Sequence, residues 1–150
     1  MENRLEKLFA EWYALGGAVL LATAPVDNPH RSPEQVIGES TAHCRDSGRL
    51  TWVVLDWLLH HIEQIDINVL LQETRRLGDL SVLGVLCDAA QMRRPHPKFK
   101  AIIRACAPPE RIEPFFHRVA RSRLARRLTE ENPLEVFRRW NYLCNELRYL

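Results

Sequence analysis

Residues 50–65 read LTWVVLDWLLHHIEQI, and this stretch decides the fold. Apolar residues recur on most sides of a helix built from it, so little of that helix would face water. A helix that is apolar nearly all round belongs in the middle of a bundle. We therefore expect a buried central helix here, with Trp52 and Trp57 in the core.

Two shorter helices are predicted directly after this stretch. Asp66 is expected to cap a helix over residues 67–77, which ends at Gly78. Asp79 is expected to cap the next helix, over residues 80–92, in the same way. The short Leu-Gly-Asp connection between them is typical of a helical hairpin.

Two helices are also predicted upstream of the central stretch. The first covers residues 4–15 and is stopped by Gly16 and Gly17. The second begins at Ser32, which with Gln35 forms a capping-box pattern, and it is expected to continue to about Asp46.

Three more helices are predicted after residue 92. They are a short helix over residues 98–106, a helix starting at Pro108-Pro109-Glu110, and a C-terminal helix starting at Asn132-Pro133. Apolar residues at helical spacing mark the second (Ile112, Phe115, Phe116, Val119) and the third (Leu134, Phe137, Trp140, Cys144, Leu147). In the second helix, Glu113 and His117 are expected to form an exposed pair one turn apart.

The predicted fold is all-α, an irregular bundle of seven or eight short helices, because no stretch alternates with the period of a strand. Its length of 150 residues favours a single helical domain over residues 1–150. With 46% hydrophobic and 27% charged residues, the chain has a globular composition. No apolar run approaches the roughly 18 residues of a membrane-spanning helix, and the N-terminus lacks signal-peptide character. We expect a cytoplasmic protein with no membrane partner.

Familiar catalytic motifs are missing from the sequence. The four cysteines, at positions 44, 87, 106 and 144, form no C-x-x-C pair, so they are expected to be buried free thiols. The sequence contains no G-x-S-x-G elbow and no glycine-rich phosphate loop. Nucleophilic or nucleotide-dependent catalysis by a familiar motif is therefore not predicted.

Charge is distributed unevenly along the chain. Residues 1–92 hold 7 Lys and Arg against 13 Asp and Glu, whereas residues 93–127 hold 11 against 2. A local excess of this size can attract an anionic partner, which could be nucleic acid, an acidic protein surface or the chain's own acidic half. The residues expected to contact such a partner are Arg93, Arg94, Arg111, Arg118, Arg121, Arg123, Arg126 and Arg127.

Two adjacent predicted helices carry the same polar pattern. Each has a carboxylate, a histidine and a second carboxylate at i, i+4 and i+7: Glu39, His43 and Asp46 in the first, Asp56, His60 and Glu63 in the second. If the two faces met, they could hold a divalent metal such as iron, manganese or zinc. The alternatives are a buried, hydrogen-bonded Asp56–His60 pair or ordinary interactions on a helix surface.

Three functional hypotheses follow from these patterns. The leading one is a non-catalytic helical protein that uses no cofactor and acts by binding another protein or its own copy. The second is a metal-dependent enzyme that uses the six acidic and histidine residues. The third is a nucleic-acid-binding accessory protein that uses the arginine-rich residues 93–127.

Overall fold

The protein has an all-helical, multi-helix fold, as the sequence predicts. A computed structural model describes residues 4–19, 31–117 and 134–144. Within those ranges the α-helices are α1 (Arg4–Ala14), α2 (Pro33–Thr41), α3 (Gly48–His61), α4 (Ile67–Leu77), α5 (Leu80–Arg93), α6 (Pro97–Ala105) and α7 (Glu135–Arg139). Short 3-10 turns cover Cys44–Asp46 and Ile62–Gln64, and two short strands are β1 (Glu113–Pro114) and β2 (Tyr142–Leu143). No helix in these ranges is long and apolar enough to cross a membrane. That residues 1–150 form one domain stays a prediction.

Helix α3 has a buried face, but it is not buried on nearly all sides as its composition predicts, because Trp52, Asp56 and Leu59 are half-buried and His60 is exposed. Its buried side chains include Val53, Val54 and Trp57, each at most 2% exposed. The Trp57 ring packs edge-on against Trp12 of α1, with 5.8 Å between ring centroids. The Trp57 indole N–H also donates to the backbone carbonyl of Leu15 at 3.1 Å, so its polar atom is satisfied inside the core. Trp52, predicted to be core, is only half-buried.

The predicted helix starts are confirmed at the caps. Ser32 forms a full capping box with Gln35, and the carboxylates of Asp66 and Asp79 accept hydrogen bonds from Val69 and Ser81. Each side chain satisfies a backbone N–H that the first helical turn would leave unpaired. These caps fix where α2, α4 and α5 begin.

Helix α2 is shorter than predicted. It ends at Thr41, and the chain then forms a separate 3-10 turn over Cys44–Asp46. The Cys44 carbonyl accepts hydrogen bonds from the Ser47 N–H at 3.1 Å and from the Thr51 hydroxyl of α3 at 2.8 Å, so the turn is joined to the start of α3. As a result, Glu39, His43 and Asp46 do not lie on one helical face.

The predicted helix after Pro108 is wrong within the described residues. Glu113–Pro114 instead pairs in parallel with Tyr142–Leu143 as β1 and β2. The Arg45 guanidinium donates to the carbonyls of Pro114 and Phe115, both at 2.8 Å, and these bonds replace intrahelical ones. Ile112, predicted to share the buried face, is 58% exposed. Val119 lies outside the described residues.

The last predicted helix is also too long. Helix α7 ends at Arg139, and Asn141 follows with a positive φ of 59°, a conformation that turns the chain. Phe137, Trp140 and Cys144 of the predicted apolar stripe are nevertheless buried. Leu147 lies outside the described residues.

Candidate functional site

The six candidate metal ligands do not come together as one group. Glu39, only 5% exposed, forms ion pairs with Arg4 and Arg31. Arg31 also hydrogen-bonds to Glu11 at 2.6 Å, and this bond raises the pKa of the Arg31 guanidinium. Asp46, which is exposed, accepts a hydrogen bond from His117 Nδ1 at 2.7 Å.

The other candidate ligands lie elsewhere. His43 precedes the 3-10 turn and is half-buried, while Glu63 is an exposed member of the turn that follows α3. Asp56 and His60 form their own pair on α3. Across the three described ranges, no group of three or more His, Cys, Asp and Glu side chains is arranged to hold a metal ion. The divalent-metal site stays a prediction.

A cleft between α3 and α5 joins residues from both sets that the sequence singled out. It has a volume of about 510 Å³, within the range of ligand-binding clefts. Its lining residues are Trp52, Leu55, Asp56, Leu59, His60, Arg93 and Arg94. We refer to it as the arginine cleft.

Helix ends position the polar groups of the arginine cleft. Arg93 is the last residue of α5, and Arg94 caps that helix. The Arg94 guanidinium donates to the backbone carbonyl of Leu59 at 3.0 Å, which ties the end of α5 to the last turn of α3. Arg93 is exposed and has no ion pair with any residue that the structure describes. It is therefore available to a ligand.

His60 is held in one orientation at the rim of this cleft. Its Nδ1 donates to the backbone carbonyl of Asp56 at 2.7 Å, and the Asp56 carboxylate lies 3.5 Å from the same nitrogen. A proton on Nδ1 leaves Nε2 to accept a hydrogen bond, or to donate one when the ring is protonated. The cleft thus has two permanent positive charges, on Arg93 and Arg94, against the one carboxylate of Asp56, so it favours an anionic ligand.

A second cleft lies on the other side of Arg93, between α5 and α7. It has a volume of about 430 Å³ and is lined by Ala89, Met92, Arg93, Leu134, Glu135 and Val136. We refer to it as the apolar groove, because four of these six side chains are apolar. Met92 is 62% exposed, so its side chain is accessible at the edge of the groove.

Of the remaining predicted arginines, Arg111 belongs to the described residues. It is exposed, precedes β1 and does not line the arginine cleft. Arg118, Arg121, Arg123, Arg126 and Arg127 lie outside the described residues. From the sequence, Trp52 could serve as core or as an interface anchor, with core favoured, and Met92 was not predicted as a site residue. The charged residues Arg93 and Arg94 directly after Met92 are the signal that could have marked it.

The thiols give a direct test of the packing. Burial raises the pKa of Cys44 and of Cys106 to about 12 each, and that of Cys87 well above its usual value. Near pH 8 only about one Cys44 or Cys106 thiol in ten thousand would be ionised. We expect native protein to react with Ellman's reagent far more slowly than free cysteine. In concentrated guanidinium chloride all four should react, whereas fast native labelling would contradict this packing.

Comparison of the chain with models of known protein families, with curated proteins and with solved structures finds no match. The chemistry of the two clefts is therefore the basis for assigning a function. Guanidinium groups beside an apolar floor can bind a carboxylate and cover the aliphatic part of the residue that carries it. His60 Nε2 adds one further hydrogen-bonding position at the rim.

Proposed function

We propose that this protein is a non-catalytic binding protein whose arginine cleft holds an acidic segment of another protein. The observation that carries the proposal is the position of Arg93 and Arg94 beside an apolar floor in one concave site. An arginine can bind a carboxylate through two parallel hydrogen bonds, and such charge-assisted bonds are among the stronger ones in proteins.

The floor of the arginine cleft favours a peptide over a bare anion. Trp52 and Leu59, both half-buried, present apolar surface next to the two guanidinium groups. A glutamate residue has both parts that such a site can bind, a carboxylate and an aliphatic stem. Tryptophan and arginine are also the residue types that contribute most to protein interfaces.

A protein partner fits these clefts better than a nucleic acid does. A nucleic-acid strand presents phosphates along its whole length, and the carboxylates of Asp56 and Glu135 would repel them. A protein segment can place neutral or basic side chains at those two points. The nucleic-acid hypothesis depended on residues 93–127 as a whole, and it stays a prediction.

The free cysteines support a reducing compartment for this function. Cys44, Cys87, Cys106 and Cys144 form no disulfide, and three of them are buried. Disulfides are rare in the cytoplasm, where thiols are kept reduced. A cytoplasmic location, and with it a cytoplasmic partner, is therefore part of the proposal.

Nuclear magnetic resonance can test the proposal even if binding is weak. The probe is a glutamate-rich peptide of roughly ten residues, the usual size of a recognised segment, titrated into the ¹⁵N-labelled full chain. We expect the largest shifts at the Trp52 indole and the Arg93 Nε–H. Arg93→Gln should weaken binding about tenfold, because it removes a charge-assisted contact.

The matched control is Arg104→Gln, which removes an exposed arginine from the last turn of α6 and should leave binding unchanged. A peptide with glutamine at every glutamate position should produce no shifts. The proposal is wrong if the acidic peptide produces none either, or if Arg104→Gln weakens binding as much as Arg93→Gln. It is also wrong if a mixed-sequence DNA duplex binds the same groups more tightly than the peptide does.

A further inference from the structure

We infer that the partner's segment carries a large aliphatic side chain beyond its acidic residues, and that this side chain binds in the apolar groove. This inference rests on the proposed function, because the acidic residues must first occupy the arginine cleft. The two sites are adjacent, since Arg93 lines both of them. A segment that crosses Arg93 can therefore contact both.

The apolar groove has the composition of a site for one apolar side chain. Met92 is exposed and Leu134 is half-buried, so these two side chains present accessible apolar surface, whereas Ala89 and Val136 are at most 5% exposed. Ala89, Met92 and Arg93 follow one another at helical spacing on a single face of α5. An aliphatic side chain inserted here would cover the exposed part of Met92.

Met92 is held in place by the neighbouring helix. The Arg139 guanidinium of α7 donates to the Asp88 carboxylate at 2.9 Å and contacts the Met92 sulfur at 3.5 Å. The Trp140 indole N–H donates to the other oxygen of the same carboxylate at 2.9 Å. Because these bonds join α5 to α7, the wall of the groove is formed before a ligand arrives, which lowers the cost of binding.

Charge at the two ends of this surface favours an order of residue types along the segment. Arg93 and Arg94 favour carboxylates in the arginine cleft, whereas Glu135 in the apolar groove would repel one. The preferred sequence is therefore acidic residues, then a large aliphatic residue, then a residue that is not acidic. This charge pattern identifies a partner segment of mixed character as the occupant.

The test uses two series of fluorescein-labelled peptides and measures anisotropy with the full chain. Both series carry three glutamates, a spacer of one to three glycines and a final test residue, which is leucine in one series and alanine in the other. We expect the best leucine peptide to bind about tenfold more tightly than its alanine counterpart, because it buries more apolar surface. Met92→Gln should remove that difference and leave the alanine peptide's affinity unchanged.

Ile112→Gln is the matched control, because it changes another exposed apolar residue, outside both clefts. It should preserve the tenfold difference. Equal, Arg93-dependent binding of the leucine and alanine peptides would overturn this inference and leave the proposed function standing. An absence of binding by both series would overturn the two together. If sedimentation showed a dimer that Met92→Gln abolishes, and the leucine and alanine peptides bound equally, the groove would be assigned to a second copy of the chain instead.

Discussion

Gly78→Ala is expected to lower the free energy of unfolding by more than about 3 kcal/mol. A methyl group at this position would overlap the carbonyl oxygen of Gly38 and the hydroxyl of Thr41, both in α2. That hydroxyl accepts a hydrogen bond from the Asp79 N–H at 2.8 Å and donates one to the Gly38 carbonyl at 2.6 Å. The methyl group would therefore separate α2 from the α4–α5 turn and break the hydrogen bond between the Asp79 N–H and the Thr41 hydroxyl. Urea unfolding followed by circular dichroism measures the loss.

Gly48→Ala is the matched control for this substitution. Gly48 is the exposed first residue of α3, and an added methyl group would lie 3.8 Å from the Phe116 ring, an ordinary contact. We expect a change within about 0.5 kcal/mol. If the two variants were equally stable, the close approach of α2 to the α4–α5 turn would be wrong.

The parts of the fold that the sequence predicted are those decided by neighbouring residues. Ser32, Asp66 and Asp79 cap helices through bonds to backbone groups only two or three residues away. The buried apolar face of α3 is likewise visible in the sixteen consecutive residues 50–65. Such local signals survive folding because no distant contact competes with them.

The predictions that failed were decided by distant contacts. Arg45 donates to the carbonyls of Pro114 and Phe115, which lie about seventy residues further along the chain. Helical spacing of apolar residues around Phe115 does not show that such a partner exists. Tertiary hydrogen bonds overrode the local pattern there.

The candidate site was predicted in pieces. The sequence singled out Asp56 with His60 as metal ligands, and Arg93 with Arg94 as anion-binding residues, on two separate arguments. Their meeting in one cleft depends on how α3 packs against α5, and one-dimensional spacing does not contain that information. The apolar groove depends in the same way on α7, which was predicted to be a much longer helix.

Phe115→Ala is expected to cost about 4 kcal/mol of unfolding free energy, typical of truncating a fully buried phenylalanine. The Phe115 ring packs edge-on against Phe116, Phe137 and Tyr142, with centroid distances of 4.9, 5.0 and 5.1 Å. Truncation would leave a cavity and remove three aromatic contacts, two of which join the residue after β1 to α7 and β2. Urea unfolding again measures the loss.

Ile112→Ala distinguishes the observed β-strand arrangement around Phe115 from the helix that the sequence predicted. On the predicted helix, Ile112 and Phe115 share one buried face, so truncating either would cost a similar amount. In the structure Ile112 is 58% exposed, and we expect its truncation to change the unfolding free energy by less than about 0.5 kcal/mol. If both truncations caused a large loss of unfolding free energy, the predicted helix would be right. A large loss for Phe115→Ala and a negligible one for Ile112→Ala supports the β-strand.

Phe115→Ala should also loosen the apolar groove, because Phe115 packs on Phe137 of α7. The leucine peptides should then lose their advantage over the alanine peptides.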